Sequence, residues 1–197
     1  MTDFDVVLAR ADVAISNVAT GNFQARLPLD NLGIEVPRGY VVVDADLGAN
    51  RIVHFATAHL EDTPFLPIQL AQAQELAAVL TGKASPVILV GDFNSPAPAG
   101  DTCRFFASQG YLDVWTTSPF RDPGEGPTWG HAAALDNPTV QLTQRLDLVL
   151  YLDKQRLVPS TASVWGDELS ERTPSGLWPS DHAGVTAQMT YLRPHRR

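Results

Sequence analysis

The stretch "SPVILVGDFNSPAP", from Ser85 to Pro98, decides the fold because an apolar strand runs directly into a group of polar residues. The continuous apolar run from Val87 to Val90 predicts a strand that is covered on both faces. Before it, Gly82 suits the end of a helix, and apolar residues recur at helical spacing in one stripe: Leu66, Leu70, Ala73, Ala77 and Leu80. A helix that leads into a two-sided strand predicts packed sheets with helices outside them.

Most of the other segments are predicted to be strands. Runs rich in β-branched residues indicate strands at Asp5–Arg10, Val13–Leu27, Tyr40–Leu47, Arg51–Leu60, Arg145–Leu152, Ala162–Trp165 and Ala183–Leu192. Gly48, Ala49 and Asn50 supply a hairpin turn between two of them. A short helix is expected near Thr102–Ser108, and residues Trp115–Gln144, rich in Pro, Gly and Asp, are expected to form a long surface excursion. We expect one domain over residues 1–197.

Composition excludes some functions and leaves others open. The chain has 14 basic and 22 acidic residues in 197, a formal charge of -8, and only two lysines, so tight nonspecific binding to a long polyanion is disfavoured. The single cysteine, Cys103, cannot form an internal disulfide and is expected to be a small buried apolar residue. No apolar run is long enough for a membrane span, and no leader follows Met1. We expect a soluble protein, either cytoplasmic or secreted after removal of a leader that is not present here.

Asp92 and Asn94 are the first candidates for a functional site. They lie two residues apart at the end of the buried strand, where side chains on the same side can converge on one ligand. For this pair alone, a turn in which both side chains bond the local backbone is the favoured interpretation.

Three further stretches add candidate residues. His59 ends a predicted strand, Asp147 lies opposite the apolar face of "RLDLVLYL", and Asp181 and His182 stand just before the last strand. Taken singly, His59 is more often a strand-end histidine, Asp147 could pair with Arg145, and the Asp181-His182 pair could be turn chemistry.

Taken together and in this order, the stretches "AHL" at 58–60, "GDFN" at 91–94, "RLDLVL" at 145–150 and "SDH" at 180–182 resemble the endonuclease/exonuclease/phosphatase superfamily. The resemblance covers almost the whole chain from Val6 onward, and the stretches around it are similar to a bacterial branch of the family. It implies an α+β fold of two packed mixed β-sheets flanked by helices, a four-layer α/β/β/α sandwich.

The same resemblance implies hydrolysis of a phosphoester by in-line attack of water. Asp92 would orient or deprotonate the water, Asn94 would hold a phosphoryl oxygen, and His59 would donate to a phosphoryl oxygen as charge builds. His182 would be held in its working tautomer by Asp147. Metal ligation would fall to three residues with hard oxygen atoms, which suit Mg²⁺ or Mn²⁺: Asp92, Asn94 and Asp181. The substrate could be small, lipid or nucleic acid.

The sequence departs from the family pattern at its beginning. The N-terminal portion that carries the family's metal-binding glutamate is absent, so the fold is expected to be N-terminally truncated. Glu61 and Glu35 could substitute, although a solvated surface charge is the expected role of each. Truncation would expose sheet edge and apolar surface, and we therefore expect a homodimer that covers it.

Two other interpretations stay open at this point. A truncated fold could act as a catalytically impaired binding or self-assembling module. A carboxylic-ester hydrolase has less support because no G-x-S-x-G is present. Trp129, His131 and Trp178 could line a cleft, although packing against the protein body is the expected role of such residues.

Overall fold

A six-stranded mixed sheet forms the centre of the protein. The computed structural model describes residues 4–29, 31, 33–49, 51–83, 86–153 and 155–192. Its six strands are β1 (Ala14–Asn22), β4 (Gly39–Asp46), β5 (Ile52–His59), β6 (Val87–Asp92), β7 (Leu112–Asp113) and β9 (Asp147–Leu152). In space they lie in the order β1-β4-β5-β6-β9-β7. Strands β5 and β6 run parallel, whereas the other neighbours are antiparallel.

Two smaller sheets complete the β-structure. A three-stranded sheet has the order β11-β10-β8, with β8 (Phe120–Arg121), β10 (Leu157–Trp165) and β11 (Gly184–Tyr191). This sheet is also mixed, because β10 runs antiparallel to β11 and parallel to β8. A two-stranded hairpin joins β2 (Leu27–Leu29) to β3 (Ile34–Val36).

Helices and the three-stranded sheet cover opposite faces of the central sheet. Helices α1 (Leu66–Leu80) and α2 (Asp101–Ser108) pack on one face, while a short helix, α3 (Val114–Thr117), packs beside β9 and β10. Along β6, Leu89 belongs to the core under the helices, and the adjacent Ile88 packs on the core between the two sheets. This arrangement confirms the prediction of packed mixed sheets with helices outside, and of a strand buried on both faces.

Some local predictions are wrong. Asp5–Arg10 is not a strand: these residues have no strand conformation, and residues 7–10 line an apolar groove together with Val43 and Phe55. The excursion at Trp115–Gln144 contains most of α3 and all of β8, and is otherwise irregular. Asn50, the last residue of the expected hairpin turn, lies outside the described residues.

Helix α1 begins and ends where expected, but its buried face differs from the expected apolar stripe of Leu66, Leu70, Ala73, Ala77 and Leu80. Two glutamines, Gln69 and Gln72, are fully buried there because each satisfies backbone groups of neighbouring loops. Over the described residues, no helix has both the length and the apolar character required to traverse a lipid bilayer.

Candidate active site

Three polar side chains form one row across the centre of the large sheet. In the strand register, His59 at the end of β5 lies beside Asp92 at the end of β6, and Asp92 lies opposite Asp147 at the start of β9. Direct neighbours in a sheet project from the same face. Sheet register therefore brings together residues that are far apart in the sequence.

Gly91 allows β5 and β6 to approach closely beside this row. Its φ of +143° is a conformation that residues with a side chain rarely adopt, and a Cβ there would overlap the carbonyl oxygen of Ala58. The glycine of "GDFN" is therefore required by the backbone that carries Asp92.

His182 approaches the row from the loop before β11 and pairs with Asp147. Its Nδ1 lies 2.8 Å from Asp147 Oδ2, and its Nε2 lies 3.8 Å from Asp92 Oδ2. The hydrogen bond to Asp147 raises the pKa of His182 above its ordinary value, and burial opposes this only in part. The histidine is thus oriented and held toward its charged form by a carboxylate. Arg145, the alternative partner of Asp147, is instead paired with Asp113 at 2.6 Å.

Thr128 and Trp129 hold this histidine-aspartate pair in place. The buried Thr128 hydroxyl accepts hydrogen bonds from the backbone N–H groups of Leu146 and Asp147. The backbone carbonyl of Thr128 accepts another from the backbone N–H of Ala183. Trp129 forms β-bridges both to Gln144 and to His182. One short segment therefore links the strand of Asp147 to the loop of His182.

Asp92 stands at the centre of the group. Burial raises its pKa, and the negative charge of Asp147 adds to the effect. Its Oδ2 lies 3.4 Å from His59 Nε2, while its Oδ1 accepts a hydrogen bond from the backbone N–H of Asn94. Asp92 is thus held between two imidazoles beside a second carboxylate.

Asn94 combines the two roles that its sequence context suggested. The bond from its backbone N–H to Asp92 is a local turn, and its φ of +49° is one that asparagine tolerates. Its side-chain Nδ2 donates to the carbonyl of Leu60, and Asn94 also lines the same cleft as Asp92. Local turn geometry and a place at the site coexist here.

Sequence reasoning missed Arg38, and it assigned Glu61 a wrong environment. Arg38 Nη1 lies 2.9 Å from His59 Nδ1, and its Nη2 lies 3.6 Å from Glu61 Oε1. Glu61 is only 2% exposed, so it is not a solvated surface charge. Glu35 is exposed and lies 3.5 Å from Arg26, as a surface residue would. Arg38 could have been found from its position: it comes just before β4, the strand that pairs with the strand of His59.

These residues surround an open cleft of about 560 Å³. Its wall combines carboxylates, histidines, amides, an arginine and an aromatic side chain. The lining residues are Arg38, His59, Asp62, Thr63, Pro64, Asp92, Asn94, Pro96, Trp129, Gln144, Leu146, Asp181 and His182. Five of the six residues expected at the site line the cleft, and the sixth, Asp147, contacts His182 directly.

A group of three residues has the geometry to hold a metal ion. Ligand atoms of Asp92, Asp147 and His182 all lie within 4.8 Å of one another. Two opposed carboxylates fit a hard divalent cation, because a cation between them would relieve their mutual repulsion. Asp181 is exposed on the cleft wall and lies outside this group.

The remaining candidates divide between cleft and core. Trp129 is 39% exposed and faces the cleft. His131 and Trp178 are buried and stack with ring centroids 4.0 Å apart, so both anchor the loop as expected. Cys103 is half-buried against the core under the helices, and burial raises the pKa of its thiol. A raised thiol pKa disfavours the thiolate form that a nucleophile requires.

Comparison with known proteins adds an independent line of evidence. A sequence profile of the Endonuclease/Exonuclease/phosphatase family matches residues 5–182. No curated protein matches the chain.

Several solved structures share the fold. A mannosyl-6-phosphatase from Bacteroides thetaiotaomicron is 18% identical, with a TM-score of 0.66, over 90% of this chain and 67% of that protein. A family protein from the same organism is 19% identical, with a TM-score of 0.67, over 93% and 66%. The catalytic domain of human Nocturnin is 22% identical, with a TM-score of 0.62, over 91% and 60%. The chain spans about two thirds of the length of these relatives, or less.

Proposed function

Because the chain belongs to the Endonuclease/Exonuclease/phosphatase family, we propose that it is a metal-dependent phosphoester hydrolase. The observation that carries the proposal is the convergence of Asp92, Asp147 and His182, whose ligand atoms lie within 4.8 Å of one another. These residues come from two strands and a loop, and they meet at the wall of a cleft large enough for a small substrate.

Each side chain has a role that its contacts support. Asp92 orients the attacking water and accepts its proton, a role that its place between His59 and His182 supports. His182, held toward its charged form by Asp147, stabilises the negative charge that develops on the phosphoryl group. His59 donates to a phosphoryl oxygen, and Asn94, which lines the same cleft, holds another.

A divalent cation, Mg²⁺ or Mn²⁺, would be held by the carboxylates of Asp92 and Asp147. Asn94 and Asp181, which the family resemblance adds to the ligand set, line the same cleft. When bound, the cation supplies positive charge for the phosphoryl oxygens. The carboxylates, for their part, keep the water aligned and retain its proton.

The charge of the cleft favours a small phosphoester over a polynucleotide. Asp62, Asp92 and Asp181 line it, whereas Arg38 is its one lysine or arginine among the described residues. A run of phosphates would be repelled by these carboxylates, because polynucleotide binding depends on several basic contacts. Expected substrates are therefore monoesters and diesters with an uncharged leaving group, which Trp129 can contact.

Hydrolysis of p-nitrophenyl phosphate and bis(p-nitrophenyl) phosphate tests the proposal. With Mg²⁺ or Mn²⁺ we expect turnover that EDTA abolishes, and a loss of about 10²- to 10⁴-fold in Asp92→Asn and in His182→Gln. His54→Gln is the matched control. His54 also pairs with a carboxylate, that of Asp44, but it lies toward the start of β5, away from the cleft that His59 lines at the end of that strand. Unchanged turnover in both site variants would contradict the proposal.

We also propose that the protein forms a homodimer. Strand β1 lies at the edge of the large sheet and exposes the side chains of Ile15 and Val18. Exposed apolar residues on an unpaired edge favour association with another copy. Light scattering at micromolar concentration tests this, and a monomeric mass would contradict it.

A further inference from the structure

The contact between Arg38 and His59 determines which nitrogen of the imidazole carries the proton. Arg38 Nη1 lies 2.9 Å from His59 Nδ1. A guanidinium has only N–H donors and keeps its charge in proteins, so His59 Nδ1 must be the acceptor. An imidazole that accepts at Nδ1 carries its proton at Nε2.

Among the other contacts of Nε2, the one to Asp92 fits this tautomer, whereas the one to Asn94 does not. His59 Nε2 lies 3.4 Å from Asp92 Oδ2, an acceptor, and 3.3 Å from Asn94 Nδ2, a donor. The ring cannot accept at both nitrogens, and the shorter, charge-assisted bond from Arg38 prevails. The Asn94 amide retains its hydrogen bond to the Leu60 carbonyl at 2.9 Å. The Nε2–H group is therefore directed at Asp92 and the cleft.

A buried carboxylate lies behind Arg38. Glu61 is 2% exposed, its Oε1 lies 3.6 Å from Arg38 Nη2, and its Oε2 is buried without a hydrogen-bond partner. The backbone of Glu61 is fixed by the side chains of Gln69 and Gln72, which extend from helix α1. A buried carboxylate needs a cation nearby, and Arg38 is its salt-bridge partner. Glu61 thus holds Nη2 of the guanidinium, with the exposed Asp62 at 3.8 Å from the same nitrogen, while Nη1 contacts His59.

We propose that Arg38 is a positioning residue: anchored by buried Glu61, it holds His59 in the tautomer that directs Nε2–H into the cleft. The two histidines of the site are then oriented by opposite means. His182 Nδ1 donates to a carboxylate, Asp147, whereas His59 Nδ1 accepts from a guanidinium. The kinetic consequences rest on the proposed phosphoester hydrolysis, but the tautomer itself does not.

Nitrogen NMR of protein with ¹⁵N-labelled histidine tests the tautomer without any turnover. Long-range ¹H–¹⁵N correlations distinguish a protonated from an unprotonated ring nitrogen, and His59→Asn assigns the signals. We expect unprotonated Nδ1 and protonated Nε2 in the wild type, measured in EDTA. A proton on Nδ1 would overturn the proposal.

Removal of Arg38 must not leave Glu61 as an uncompensated buried charge, since such a variant could fail to fold. The test variant is therefore Arg38→Met combined with Glu61→Gln, and Glu61→Gln alone is its control. Arg38→Lys keeps an N–H donor beside His59 Nδ1 and should therefore keep the proton of His59 on Nε2. In the double variant we expect both tautomers of His59, and an unchanged single tautomer would overturn the proposal.

Kinetics separate positioning from substrate binding. In the double variant we expect kcat to fall about 10- to 100-fold relative to Glu61→Gln, the size typical of residues that orient an active-site ligand, with KM nearly unchanged. A raised KM with unchanged kcat would mean that Arg38 binds substrate instead. If the wild type hydrolyses no phosphoester, the proposed function fails, while the NMR result still decides the tautomer.

Discussion

Asp92 and Asp147 are directly opposed partners in the antiparallel pairing of β6 and β9. Like charges in directly opposed positions destabilise a sheet, and burial together with the charge of Asp147 raises the pKa of Asp92. The fold thus keeps a locally unfavourable carboxylate pair in its centre. Such local conflict is typical of functional sites, and a bound cation would resolve it.

The first prediction is that Mn²⁺ or Mg²⁺ stabilises the protein through this pair. At a concentration about 100 times the dissociation constant, a ligand of the folded state adds about 2.7 kcal/mol to the free energy of unfolding. For a chain of this size, the increase corresponds to roughly 5 to 10 °C in Tm. Thermal unfolding with and without EDTA measures it.

Asp92→Asn provides the contrast for this measurement. The variant removes one of the opposed charges, so we expect it to unfold in EDTA at the wild-type Tm or above, and to lose the stabilisation by metal. An equal metal-dependent increase in Asp92→Asn would show that the ion binds elsewhere.

The second prediction concerns the pH dependence that His182 confers in the metal-free protein. Its hydrogen bond to Asp147 raises the pKa in the folded state above the ordinary 6.5. The folded protein therefore binds this proton more tightly than the unfolded chain does. The resulting stabilisation is fully present below about pH 6.5 and is lost as the pH rises through the folded-state pKa.

NMR titration of His182 checks this sign. We expect a midpoint above 6.5 in the wild type and a lower midpoint in Asp147→Asn, where the neutral amide no longer favours the imidazolium. An unchanged His182 midpoint would remove Asp147 as the cause.

The third prediction tests the close approach of β5 and β6. Gly91→Ala should lower the free energy of unfolding by roughly 3 kcal/mol or more, because it adds a clash with the Ala58 carbonyl to an unfavourable φ. Gly33→Ala is the control, since Gly33 also has positive φ but has open space around it. Urea unfolding of both variants separates the cost of the clash from the cost of the unfavourable φ. An equal loss of unfolding free energy in the two variants would show that the clash costs nothing.

The fourth prediction concerns Thr128. Thr128→Val keeps the shape of the side chain but removes the acceptor of two backbone N–H groups, those of Leu146 and Asp147. Each buried donor left without a partner costs about 1 to 3 kcal/mol. We expect reduced stability together with reduced turnover, because Asp147 loses its support. Thr128→Ser keeps the hydroxyl and should stay close to wild type in both assays.

Strand periodicity and motif order predicted much of this molecule. The apolar run before Asp92 predicts a strand buried on both faces, and Leu89 and Ile88 do pack on different cores. The helix Leu66–Leu80 begins and ends as predicted. In these segments, local sequence preference and tertiary packing favour the same structure.

Long-range pairing accounts for what the sequence could not predict. Nothing in the local sequence of Glu61 shows that it is buried, because its environment depends on Gln69, Gln72 and Arg38 from other elements. Asp5–Arg10 has the composition of a strand but belongs to none of the described sheets. Sheet register, which brings His59 and Asp92 side by side, is likewise a property of the assembled fold.

The bridge from Trp129 to His182 also determines when the site can be completed during synthesis. The protein is made from its N-terminus, so His59, Asp92 and Asp147 leave the ribosome before His182, which follows Asp147 by 35 positions. A nascent chain that ends before His182 can form the carboxylate row but not the histidine pair or the bridge from Trp129 to His182. Any activity that depends on the pair therefore begins only after His182, which lies just before β11, has been made.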